Sequence, residues 1–166
     1  MKTLKINSFI MLVSFSFIIL FPKNSRAQSG SNNNSKPENN SYTGSIVETP
    51  KIDIQAAIIS DNLEIVKQHI AAGTDINMKN PMSGSTPLIT AATFGKTAVA
   101  KALLDAGADK TLKNNHGATP GESVIGPFAE MKPIYEMIQQ QLEPLGLKLN
   151  FKDLEISRPV IAMMLK

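Results

Sequence analysis

The sequence predicts an all-α fold, a short stack of helix pairs, and three observations carry that prediction. Thr-Pro opens an apolar run at Thr86-Pro87 and opens another thirty-three residues later at Thr119-Pro120. Residues 53–80 and 87–114 can be laid over one another at a spacing of thirty-four: Ala57 on Ala91, Val66 on Ala100, Gly73 on Gly107, Asp75 on Asp109, and Lys79-Asn80 on Lys113-Asn114. Each block holds two apolar runs too short to bury themselves, so each needs a neighbour. A fixed period in the low thirties is the mark of stacked units of this kind.

Taken in chain order, the first element is not part of the stack. Lys2 and Lys5 precede a thirteen-residue run of apolar residues and serine at 9–21, and Ser25 and Ala27 supply a small-x-small end. That is the layout of a secretory signal peptide, residues 1–27, cut after Ala27. The alternative, an uncleaved membrane anchor, is disfavoured by length: thirteen helical residues span about 20 Å against a hydrocarbon core of about 30 Å. Residues 28–45, "QSGSNNNSKPENNSYTGS", are rich in Asn and Ser with little to bury. They are expected to form a disordered linker.

The ordered domain is expected over residues 46–166, with units at 50–82, 83–116 and 117–149 and a helical cap at 150–166. The second unit explains the shape of the others. Thr86 is a good N-cap and Pro87 sits at the first helical position, where no N–H is missed. Leu88, Ala91 and Ala92 give the short first helix a narrow face. Gly95 can adopt the left-handed conformation that turns the chain. Val99, Leu103 and Leu104 form the stripe of a second helix, which Gly107 ends. In the third unit Ile134, Ile138, Leu142 and Leu145 have the spacing of a helix packing on the second unit, with Pro133 in its first turn and Pro144 at its frayed end. Leu147 to Phe151 alternates and is expected to run extended. Ser157 is then expected to N-cap a last helix that turns Val160, Ile161, Met164 and Leu165 inward.

The stretch "STPLITAATFGKTAVAKALLDAGADKTLKNNHG" resembles an ankyrin repeat on Thr86, Pro87, Leu88, Ala91, Ala92, Gly95, Leu103, Leu104, Gly107, Ala108 and Asp109. "NLEIVKQHIAAGTDIN" resembles the first-repeat variant of exported bacterial ankyrin-repeat proteins, and the C-terminal part is similar to extensions found in such proteins. The resemblance implies an ankyrin-repeat solenoid of about three helix-turn-helix units with a C-terminal helical cap, binding a protein through the concave face made by its loops and short helices. There are departures. Ile89 stands where the family has histidine, Asp61 replaces the turn glycine of the first unit, and Gly121 replaces the leucine after the third Thr-Pro.

Composition narrows the function. The chain of 166 residues carries 17 basic and 14 acidic residues. Lys2, Lys5, Lys23 and Arg26 would leave with the signal, so thirteen basic residues would face the fourteen acidic ones. A nearly neutral mature chain has no electrostatic footprint for nucleic acid. Cysteine is absent, which excludes a disulfide scaffold, a thiolate metal site and a thiol nucleophile, and favours a bacterial export route.

Recognisable chemistry is lacking. No phosphate loop, nucleophile elbow or metal-binding helix motif occurs. His69 aligns with Leu103 and reads as a core-edge imidazole with a backbone partner; Asp75 and Asp109 recur with the period and read as loop braces. Neither a cofactor nor a metal is expected. The candidate partner-binding residues are Lys79, Asn80, Met82 and Ser85 in the first loop, Lys113, Asn115 and His116 in the second, and Thr90, Thr93 and Phe94 on the short helix between them. Phe94, just before Gly95, either anchors a partner or packs against Ile59 or Met82 of the preceding unit. The expected function is that of an exported, non-catalytic module, monomeric and not inserted in a membrane once the signal is cut, that holds another protein. The alternative is an accessory protein that stabilises or shields a co-exported enzyme. An enzyme built on Glu122, Glu130, Tyr135 and Arg158 in the divergent region is the remaining possibility, with no spacing to support it.

Overall fold

The computed structural model describes residues 48–166. The expected signal peptide and the expected linker lie outside the described residues. Six α-helices follow: α1 (Ile54–Ile59), α2 (Leu63–Ala71), α3 (Pro87–Thr93), α4 (Thr97–Asp105), α5 (Phe128–Leu142) and α6 (Phe151–Met164). Short 3-10 turns occupy Glu122–Val124 and Glu143–Leu145.

The first two units are built alike, for reasons written in their caps. Asp53 accepts from the amides of Gln55 and Ala56 to start α1. Thr86 starts α3 by accepting from the Ile89 amide at 3.3 Å, so with isoleucine at 89 the threonine hydroxyl serves the backbone alone. The left-handed turn between paired helices falls on Gly95 (φ 66°) in the second unit and on Asp61 (φ 60°) in the first. Asp61 is the one non-glycine among the described residues with a positive φ, and its carboxylate meets Lys96 of the next unit at 3.3 Å.

The short helices α1 and α3 pack side by side, as do the longer α2 and α4. Ile54, Ala57, Ile58, Val66, Leu88, Ala91, Ala92, Val99, Ala100, Leu103, Val124 and Ile161 form one continuous core. Ala57, Ala91 and Val124 share that core on elements that pack in succession, α1 on α3 and α3 on the 3-10 turn.

Beyond Thr119 the pattern changes. Thr119 and Glu122 form a reciprocal cap, each side chain bonding the other's amide. Yet the helix that should follow is a single 3-10 turn, since Gly121 adds no side chain to pack. The expectation that a helix around 134–145 forms the next layer on the second unit is corrected, while the helix within the expected cap at 150–166 does cover the stack. The helix stacked on α4 is α6, and α6 also packs against the 3-10 turn, while α5 packs against α6. The face of α6 explains this: Leu154, Ser157 and Ile161 recur at i, i+3 and i+7, and Ser157 is small enough to sit against Gly95, where an added Cβ would collide with its hydroxyl. In α5 only Tyr135 and Leu142 are buried, and Leu145 is exposed.

Three smaller expectations change with it. Asn150, not Ser157, caps α6, accepting from the amides of Lys152 and Asp153. Phe151 belongs to the helix, so the non-helical stretch is 147–150. Pro133 lies in the second turn of α5 rather than its first.

Candidate functional site

The two loops after α2 and α4 are joined into one ridge. Within the first, Asn80 Oδ1 accepts from the amides of Met82 (2.9 Å) and Ser83 (3.1 Å). Within the second, Asn114 Oδ1 accepts from those of His116 and Ala118, both at 3.0 Å. Between them, the Asn115 amide donates to Ser83 O at 3.0 Å and its side-chain amide to Met82 O at 3.0 Å. The Asp109 amide donates to Asn77 Oδ1 at 2.9 Å. Gly84 permits this approach: a Cβ there would run into Asn115, and its φ of 66° is left-handed.

The acidic residues of the ridge are engaged in local hydrogen bonds at its surface. Asp75 accepts from the Asn77 amide. Asp109 accepts from the Thr111 hydroxyl and amide, both at 2.7 Å, and these bonds hold its carboxyl below the usual carboxylate range. Glu122 is held low in the same way, first by the Thr119 amide and then by its hydroxyl. These carboxylates act as braces for loops and turns.

The candidate residues are thereby sorted. Lys79, Met82, Lys113 and His116 are exposed on the ridge, with Met82 at 45 %. Ser85 is half-buried. Asn80 and Asn115 have side chains committed to the loops themselves, so their first role is to hold the ridge. On the short helix the expectation of an exposed patch is corrected. Thr90 is 6 % and Phe94 5 % exposed, because α3 is flanked by α1, α4 and the 3-10 turn and the C-terminal helices come in at its end. Thr93 is half-buried, and its carbonyl accepts from the Tyr135 hydroxyl at 2.8 Å.

That hydrogen bond belongs to a cluster of Tyr135 and Arg158, two residues the sequence singled out with no spacing to join them. Arg158, 2 % exposed, donates to Tyr135 Oη at 2.6 Å and to the carbonyls of Ser123 (3.4 Å) and Ile125 (3.3 Å). Its guanidinium carbon lies 5.6 Å from the Tyr135 ring centre, and Phe128 stacks on that ring at 5.9 Å. No carboxylate among the described residues pairs with it, and its buried Nε–H has no partner. A buried cation needs compensation. Here the phenol, the ring face and the carbonyls at the end of the 3-10 turn provide it, where the turn's dipole favours positive charge. Burial pushes the Tyr135 phenol above its ordinary value, against the lowering effect of Arg158, and keeps it a donor. Tyr135 and Arg158 stand twenty-three residues apart in sequence, and no spacing rule connects them.

His69 is buried at the edge of the core. Its Nε2 faces the Ile52 carbonyl at 2.8 Å and its Nδ1 the Thr74 hydroxyl at 3.0 Å. Because a carbonyl only accepts, Nε2 carries the proton. The imidazole thus straps the entering chain to the end of α2.

Residues 54–121 match the family profile described as Ankyrin repeats (3 copies). Over these residues the chain is similar to ankyrin repeats. The chain is 30 % identical over 83 residues to human Protein phosphatase 1 regulatory subunit 27, covering 50 % of this chain and 53 % of that protein. It is 40 % identical over 87 residues to the Drosophila melanogaster Neurogenic locus Notch protein, covering 52 % of this chain and 3 % of that one. It is 31 % identical over 64 residues to human 2-5A-dependent ribonuclease, covering 39 % of this chain and 9 % of the relative. The chain thus spans about half the length of the first relative and a small part of the other two. The ankyrin match ends at residue 121, so the Tyr135–Arg158 cluster lies outside it.

Proposed function

We propose that this chain is an exported, non-catalytic ankyrin-repeat module that binds a protein partner through the ridge formed by its two loops. The observation that carries the reading is the joining of those loops by the Asn115 and Asp109 hydrogen bonds, which presents Lys79, Met82, Lys113 and His116 on a fixed scaffold. Loops held by a rigid frame are where repeat proteins place recognition. The relatives point the same way: a regulatory subunit, a Notch protein and a ribonuclease share this kind of segment and differ in their names' activities. A binding module is the common denominator. The area offered by two loops is small, so the complex is transient, with affinity on the order of micromolar. Export rests on residues 1–27, and the cell envelope or the medium is the proposed location.

The test uses the full chain carrying a C-terminal tag in its own cell. Fractionation and N-terminal sequencing should find the mature protein outside the cytoplasm and starting at Gln28. Cross-linking should then capture a partner that Lys79→Glu combined with His116→Ala releases while the thermal midpoint stays unchanged. A partner retained by that variant, and lost only on mutations away from the loops, would move the binding surface elsewhere.

A further inference from the structure

Residues 127–150 reach the end of the short helix α3, which the ankyrin resemblance places, beside the loops, on the concave face that binds partners. In the first unit the chain at the end of the short helix is open, with Ser60 exposed. In the second unit the corresponding place is taken: the Thr93 carbonyl is bonded to Tyr135, and Phe94 is buried. The element that brings Tyr135 there is α5, and α5 has the features of a detachable piece.

It is bracketed by Gly126 (φ 99°) and Gly146 (φ 73°), at neither of which would a Cβ meet another atom within 4 Å. These glycines answer a backbone need rather than close packing, and such positions absorb the dihedral change of a hinge. The helix starts without a side-chain cap, and Pro133 deprives its second turn of an N–H. Thirteen of its fifteen residues are not buried, Tyr135 and Leu142 being the exceptions. Elements with few buried contacts and a costly start open before the rest of a domain does. The polar fastening is the Tyr135 hydroxyl, which donates to Thr93 and accepts from Arg158, and the apolar one is the buried Leu142.

We infer that α5 is a built-in occupant of the second repeat's end of the binding face, a hinged helix with Tyr135 as its plug and Arg158 as the positioning residue that retains the plug. The inference rests on reading that face as a protein-binding surface, and a partner gains the end of α3 by displacing α5. When Tyr135 withdraws, Arg158 loses its one side-chain acceptor and keeps only backbone carbonyls as partners. The closed state is thereby favoured until something replaces the helix.

The test needs no partner, so its outcome is separate from that of the binding experiment. Amide hydrogen exchange on the full chain should show 128–145 opening as a unit faster than 87–105. Tyr135→Phe, which keeps the ring and removes both hydrogen bonds, should speed exchange in 128–145 about tenfold, the scale set by one or two buried hydrogen bonds, and leave 54–105 unchanged. Because the chain has no cysteine, Thr93→Cys introduces a single thiol. The reaction of that thiol with a thiol reagent should quicken by a similar factor when Tyr135→Phe is added. Arg158→Lys, which keeps the charge and loses the planar fork, should move both readouts in the same direction. Exchange of 128–145 in step with 87–105 in both parent and variant would overturn the inference. So would a rate of thiol modification in the Thr93→Cys variant that is indifferent to Tyr135→Phe.

Discussion

Helices α2 and α4 begin and end thirty-four residues apart, whereas no α-helix after Thr119 keeps that register. In the repeating half each side chain meets the counterparts of its own neighbours, so a role read once is read twice. In the other half the outer layer is supplied by α6, which arrives after an inserted helix and packs on α4 as α4 packs on α2. A repeat stack, then, constrains what its last member must cover and leaves open which stretch of chain does the covering.

The sharpest way to break this comparison is to treat Leu103 and Ile161 as equivalents. Both are fully buried in the same core. If α6 completes the stack, Leu103→Ala and Ile161→Ala should each cost about 2–4 kcal/mol in urea unfolding, within one shared transition. A small cost for Ile161→Ala, with α6 melting ahead of the rest, would reduce α6 to an appendage.

The turns give the next contrast. Gly95→Ala forces a left-handed alanine against Ser157 and to 2.9 Å from Leu154 Cδ2, at a cost of about 2–3 kcal/mol. The same turn in the first repeat is made by Asp61, whose side chain is exposed and reaches Lys96 at the start of α4. Asp61→Gly relieves the backbone and loses the exposed pairing with Lys96, for a net gain of about 0.5 kcal/mol. Thermal midpoints of the two variants should therefore move in opposite directions.

The legibility of the sequence follows the same division. The period, the Thr86 cap, the turns at Gly95 and Gly107, the His69 strap and the bracing role of Asp75 and Asp109 were all readable, because each depends on residues close in sequence or one unit away. Burial of Phe94 was one of the two readings the sequence left open, and that of Thr90 was not legible, because it depends on what packs around α3, the 3-10 turn beyond residue 120 included. Nor was the Tyr135–Arg158 cluster. A buried arginine is signalled by its partners, and these are two backbone carbonyls and a phenol that only the fold brings together. Ser157 illustrates the limit well. Its side chain suits a helix start, yet its small size suited the close approach to Gly95 better, and Asn150 was available as the cap.

A milder variant tests whether the ridge is one body. Asn115→Ala removes the side-chain bond to Met82 O from an exposed position, so global stability should fall by about 0.5–1 kcal/mol. Exchange of the amides in both loops should quicken together. Loosening of the second loop alone would show that the repeats present separate tips.

The last prediction concerns pH and has no effect near neutrality. Burial raises the Tyr135 phenol above 10.0 in the folded chain, while in the unfolded chain it returns to that ordinary value. Between the two, the unfolded state releases a proton that the folded state keeps, so stability falls as pH rises. The contribution is fully present below about pH 10 and is lost on the way up through the folded value. Tyr135→Phe has no proton to release and should flatten that part of the curve, even though it is less stable at neutral pH for want of two hydrogen bonds. Unfolding free energies of parent and variant, measured from about pH 8 to 11, should therefore converge above the ordinary phenol value. Parallel curves would mean that the phenol ionises as freely in the folded chain as in water, and that the plug is not seated between Thr93 and Arg158.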